Sequence, residues 1–237
     1  MAGKGGVGKS TIAALLAMNL AERGGHIALV DADVYGPSVP TLLGARELPE
    51  VQDNKIDPLS WNVGRGQLYA MSLGYLIDAK SAAIWRGPML VKTLAQMLTG
   101  TNWPELDCMI IDLPPGTGDL HLTLMQRYHV DGMLLVTTPS ELSYADCARA
   151  TAMALRMDVP VLGVVENMSY RNTWWGMGKS RDFGKSKVEE FAAEHNISNY
   201  IQLPMDKGLN KGKNLLGNFS TSKTSYGLGN VIDWLNE

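Results

Sequence analysis

Residues 3–11 read GKGGVGKST: a glycine, four residues, then Gly-Lys-Ser. That is the spacing of a loop that cradles phosphate. Gly3, Gly5, Gly6 and Gly8 let successive backbone N–H groups turn inward, where side chains would block the approach. A helix beginning near Lys9 adds its positive N-terminal end. In such a loop the Lys9 ammonium reaches the β- and γ-phosphates and the Ser10 hydroxyl ligates Mg²⁺. The nucleotide-binding candidates are therefore Gly3, Gly5, Gly6, Val7, Gly8, Lys9, Ser10 and Thr11. The bland alternative is a glycine-rich turn that binds nothing.

Three carboxylates stand where they could serve the same chemistry. Asp31 and Asp33 close the apolar run HIALVDAD, and Asp112 closes another in IIDLPPGTGD. A carboxylate at the end of an apolar strand is costly to bury unless a cation or strong donors lie nearby. Hydrated Mg²⁺ beside a triphosphate meets that need for Asp31 and Asp112. A helix N-cap, which Asp also favours, is the alternative for each.

These residues need a scaffold, and the rest of the chain supplies one. Short apolar runs at His26–Asp33, Leu68–Gly74, Cys108–Gly116, Gly132–Pro139, Val161–Met168 and Tyr200–Pro204 read as strands covered on both faces. Helical patterns fill the intervals at Lys9–Arg23, Pro88–Leu98, Asp119–Tyr128, Ser140–Met157 and Lys185–His195, with a short amphipathic helix expected over Gly227–Glu237. The alternation predicts an α/β fold: a mostly parallel, doubly wound sheet flanked by helices, in one domain over residues 1–237. Ligands of such sheets bind at the carboxyl ends of the strands, where the loop and the three carboxylates fall.

Composition narrows the classes. Apolar residues at 45% and charged residues at 19% fit a folded, cytoplasmic type of protein. A net charge of −3 argues against a dedicated nucleic-acid surface. No apolar run approaches a membrane span, and no signal peptide is read at the start. The two cysteines, Cys108 and Cys147, are far apart and not at ligand spacing, so a disulfide framework or a self-contained metal site is not expected.

The second lysine of the loop, Lys4, marks the deviant Walker A ATPases, the group that includes MinD, ParA and nitrogenase iron protein. With DADVYGPSVP (Asp31–Pro40), WRGPM (Trp85–Met89), DLPPGTGD (Asp112–Asp119) and ENMS (Glu166–Ser169), the chain resembles the Mrp/ApbC family over nearly its whole length. The resemblance implies a homodimer that hydrolyses ATP and passes iron–sulfur clusters to apo-protein clients. It further implies that Lys4 reaches across the dimer to the partner's ATP, that Asp33 positions the attacking water, and that Asp31 and Asp112 support Mg²⁺. Asn167 is implied to hydrogen-bond the adenine, although asparagine at a strand end also suits a plain turn.

Two departures from the family pattern stand out. A strand usually precedes the phosphate loop, and its absence would leave ladder groups bare on both neighbours. The Cys-x-x-Cys expected after ENMSY is replaced by RNTWWGMGKS. No residue of this chain is therefore assigned as an iron–sulfur ligand: Cys108 falls in a predicted strand, Cys147 in a predicted helix, and the Met177 thioether lacks the anionic sulfur these clusters use. The resemblance places this turn at the subunit junction, making Trp174 and Trp175 interface candidates, with packing into their own domain as the alternative. Two functions follow. One is a dimeric Mg-ATPase of iron–sulfur assembly that relies on a cluster-supplying partner. The other is a MinD/ParA-like nucleotide-gated switch without a cluster.

Overall fold

The computed structural model describes residues 1–34, 36–45, 47–53, 55–76, 87–173, 178–206, 209, 214–219 and 222–235. Tyr35, Trp85, Trp174, Trp175 and Met177 lie outside them, and with them both interface candidates. The elements run α1 (Lys9–Glu22), β1 (His26–Asp31), α2 (Val39–Leu43), β2 (Val51–Gln52), β3 (Lys55–Ile56), β4 (Leu59–Val63), β5 (Gly66–Ser72) and α3 (Leu73–Leu76). They continue α4 (Gly87–Gly100), β6 (Cys108–Asp112), α5 (Asp119–Arg127), β7 (Met133–Thr137), α6 (Glu141–Arg156), β8 (Val161–Asn172) and β9 (Lys179–Ser180). Last come α7 (Val188–Glu194), β10 (Tyr200–Pro204), α8 (Leu215–Asn218) and α9 (Lys223–Asp233).

The main strands form two sheets, ordered β4-β5-β1-β6 and β10-β8-β7. Pairs β1–β5, β1–β6, β7–β8 and β8–β10 are parallel, as the alternating pattern predicts. Neighbouring residues of one strand point to opposite faces: Leu29 packs in the cluster with α1 and α9, whereas Val30 packs with Met71, Leu94 and Leu120. Val136 and Leu135 divide in the same way, Leu135 facing Cys147 and Val188. Burial on both faces is why these strands are apolar throughout. Helix α1 is buried nearly all round from Ile12 to Ala21, which its run of alanines and leucines permits. Its single buried amide, Asn19, donates to the Leu15 carbonyl at 2.8 Å and to Ser225 Oγ at 3.0 Å, fixing α9 against it.

Strands β6 and β7 share no backbone hydrogen bond among the described residues. Ala2 pairs with β7, parallel to Leu135. Its N–H donates to the Leu134 carbonyl at 3.1 Å, and its carbonyl accepts from Val136 N–H at 2.9 Å. On the other side the Met1 amino group donates to the Ile111 carbonyl at 2.6 Å. The loop thus emerges at the carboxyl ends of β6 and β7.

Three expectations need adjusting. The antiparallel edge strand β4, paired to β5, was not foreseen, although LSWNV alternates apolar and polar residues with the period of a half-buried strand. Strand β8 runs on to Asn172 instead of ending at Met168, and turns back through β9. The last helix starts at Lys223 rather than Gly227, since Ser222 caps it by accepting from Ser225 N–H at 3.1 Å.

Candidate nucleotide site

Gly8 caps α1 with φ at 89°, a left-handed conformation that favours glycine. Space imposes a second demand there, because a β-carbon would come within 2.5 Å of Asn167 Nδ2. Beside the loop, a β-carbon at Gly6, Gly116 or Gly118 would meet nothing within 4 Å, so the approach to the backbone is open. Lys9, only 7% exposed, starts α1 and donates from Nζ to the Lys4 carbonyl at 3.1 Å. Burial pushes its pKa down, and the charges of Asp112 and Asp33 oppose that shift. The loop, the lysine and the two carboxylates therefore share one locality. The Lys4 side chain is half-buried and forms no hydrogen bond or ion pair among the described residues.

Asp31 and Asp112 end adjacent strands in register, and both are wholly buried. Asp31 is saturated. Its Oδ2 accepts from Ser38 N–H at 3.0 Å, Val39 N–H at 3.1 Å and Ser72 Oγ at 3.1 Å, and its Oδ1 accepts from Asp33 N–H at 3.1 Å. The carboxylate thus ties down the start of α2, and burial still raises its pKa to about 6. Asp112 is the reverse, with neither oxygen holding a hydrogen bond. Burial raises its pKa against the influence of the nearby Ser10 hydroxyl, the Met1 amino group and Lys9; Ser10 lies close without completing the bond. A buried carboxylate without donors, beside the loop's serine and lysine, suits a hard cation with oxygen ligands. Asp33 sits at the rim, accepting from Gly36 N–H at 3.2 Å.

Asn167 lies on the other side of the loop. Its Nδ2 donates to the Val7 carbonyl at 2.9 Å and its Oδ1 accepts from Met168 N–H at 2.9 Å. Next to it, wholly buried Glu166 accepts from the Tyr144 and Ser169 hydroxyls. Burial first, and then the Glu166 bond, push the Tyr144 phenol well above its usual range. The sequence reading missed one residue near this site. His121, in the first turn of α5, is 1% exposed with both ring nitrogens unpaired. Burial, aided by the positive Met1 amino group and Lys9, lowers its pKa to about 4. Its position two residues past the GTGD turn was the available signal, but a lone histidine on an apolar helix face looks like core.

The fold and site define a P-loop NTPase of the MinD/ParA type. The chain belongs to the ParA family described as NUBPL iron-transfer P-loop NTPase, which matches residues 1–232, in keeping with the motif resemblance. Curated relatives named iron-sulfur cluster carrier protein include those of Rickettsia felis, 46% identical over 168 residues (71% of this chain, 52% of the relative), and Escherichia coli, 42% identical over 205 residues (86% and 54%). The chain spans about half the length of the curated relatives it matches. Among solved structures, a nucleotide-binding protein from Archaeoglobus fulgidus in complex with ADP is 35% identical, with a TM-score of 0.80 over 95% of this chain and 88% of that one. MinD of Pyrococcus horikoshii complexed with Mg-ADP, at 18% identity, shares the fold with a TM-score of 0.66 over 100% of this chain and 95% of its own. Among the described residues no helix is long and apolar enough to cross a membrane.

Proposed function

We propose that this chain binds and hydrolyses ATP as a dimer, and that hydrolysis is linked to handing iron–sulfur clusters to apo-protein clients. The carrying observation is the contrast at the loop: a buried Lys9 in the field of Asp112, a carboxylate that no protein donor satisfies. Mg²⁺ at Ser10 and Asp112 would supply charge neutralisation on the phosphate oxygens. The chain's own groups do the rest. Loop N–H groups and Lys9 bind the phosphates, Asp33 at the rim orients a water, and Lys4 extends toward the nucleotide of a second copy. The left-handed backbone at Gly6 and Gly8, and the open space at Gly6, support the first of these roles.

The cluster is cargo in this reading, supported by the carrier names of the relatives, and its sulfur ligands come from a partner. Cys147 is buried in α6, its thiol against the Val136 carbonyl, and Cys108 opens β6 at the strand ends away from the loop. Both thiols are free, in keeping with a cytoplasmic setting. Their placement also favours a second reading, a nucleotide-gated switch that carries no cluster. Two measurements test the proposal. Lys9→Ala should abolish ATP binding, and full affinity in that variant would end the nucleotide reading. Iron and sulfide should be retained after anaerobic reconstitution only when a cysteine-bearing partner is present. A stable switch complex that never acquires iron would select the second reading.

A further inference from the structure

The geometry points to Asn167 as a positioning residue for the phosphate loop: by holding the Val7 carbonyl outward, it aims the Gly8 N–H at the phosphates. The inference rests on the nucleotide reading above and goes beyond it. In a trans peptide the carbonyl of one residue and the N–H of the next point in opposite directions. The Val7 carbonyl is committed to Asn167 Nδ2 at 2.9 Å, on the strand β8 side of the loop. The Gly8 N–H, in the same peptide unit, therefore faces away from β8, and it has no acceptor among the described residues. Gly8 has a left-handed φ and little resistance to a peptide flip. A flipped unit would present a carbonyl dipole to an anion instead of a donor. The asparagine is the restraint against that flip.

Asn167 is itself held in one orientation. Turning its amide over would set Oδ1 against the Val7 carbonyl and Nδ2 against the Met168 N–H, two repulsive contacts in place of two hydrogen bonds. Met168 adopts φ of 54°, uncommon for a side chain of this kind, so the backbone bends immediately after the peptide whose N–H donates to Asn167 Oδ1. On either side of the pair, Ser169 donates to Glu166, which is anchored by Tyr144 from α6. Both ends of the Asn167 amide are thus engaged by the protein before any ligand arrives. The turn ENMS reads here as a bracket for the loop.

Calorimetric titration of wild type and Asn167→Asp with Mg-ATP, Mg-GTP and inorganic tripolyphosphate separates this role from a contact with the base. Asp keeps the shape and the acceptor for Met168 but cannot donate to Val7. A positioning role predicts that all three ligands weaken by a similar factor, tenfold or more. Loss confined to ATP, with tripolyphosphate binding as in wild type, would overturn it in favour of a base contact. A wild-type measurement avoids any folding defect in the variant: the Gly8 amide proton should shift strongly downfield on adding tripolyphosphate, and an unmoved Gly8 signal also overturns the inference. If wild type binds none of the three ligands, or Lys9→Ala binds them all unchanged, the nucleotide reading itself has failed.

Discussion

Asp31 and Asp112 are a natural pair of opposites. They end neighbouring parallel strands, face each other in register and are equally buried. Asp31 accepts four hydrogen bonds and organises the turn into α2, while Asp112 accepts none. A carboxylate satisfied by the protein gains little from a cation, whereas one left bare needs it. The difference teaches that a strand-end aspartate in an α/β sheet has two separate uses, and that burial alone does not tell them apart. Here the first ties down the turn into α2, and the second is the one proposed above to meet a cation.

The comparison is most severely tested at Asp112. Asp112→Asn should cut Mg-dependent ATP turnover by ~10²–10³-fold, in the range for losing one group that stabilises transition-state charge. Its melting temperature should hold or rise, because a buried carboxylate without donors has been neutralised. A melting temperature that falls sharply would show that Asp112 is structural after all. Asp31→Ala should do the opposite. It strands the Ser38, Val39 and Asp33 N–H groups and should lower stability by about 3 kcal/mol in urea unfolding. If that variant keeps its stability but loses Mg²⁺ dependence, the two roles have been assigned the wrong way round.

Acid titration sharpens the contrast further. Asp31 has a pKa raised to about 6, so it takes up a proton more readily folded than unfolded; it stabilises the fold as pH falls from about 6 toward 4. His121, lowered to about 4, resists protonation in the fold but not in the unfolded chain, so it removes stability as pH falls from about 6.5 toward 4. Each effect is at most about 3 kcal/mol. Compared with wild type, Asp31→Asn should lose more stability between pH 6.5 and 4, and His121→Gln should lose less. Parallel profiles for all three proteins in that window would mean that neither group is as buried as the packing indicates.

Much of the site was legible because its demands are local. Glycines at fixed spacing before Lys9 and Ser10 announce a backbone that must turn inward, and the alanine- and leucine-rich helix follows directly. Strands β1, β6 and β7 were plain from continuous apolar runs. Less legible were β4, whose LSWNV alternates cleanly but is only 5 residues long and partly exposed, and the continuation of β8 beyond the kink at Met168. His121 was passed over because nothing in GDLHLTL distinguishes a buried, unpaired imidazole from one bonded in the core.

By itself, then, the sequence determined the phosphate loop, the parallel α/β order and the gathering of aspartates at the carboxyl ends of the strands, since backbone freedom and hydrophobic period are properties of neighbouring residues. Only the tertiary structure decided how those parts were used. Ser38 and Val39 return to Asp31 and leave Asp112 bare. Val7 meets Asn167 from 160 positions away along the chain. Ala2 comes to lie between strands that the order of segments does not pair. Whether a polar group is satisfied depends on which donor the packing brings within reach, whether it lies 160 positions away, as for Val7 and Asn167, or only 7 and 8, as for Ser38 and Val39 on Asp31.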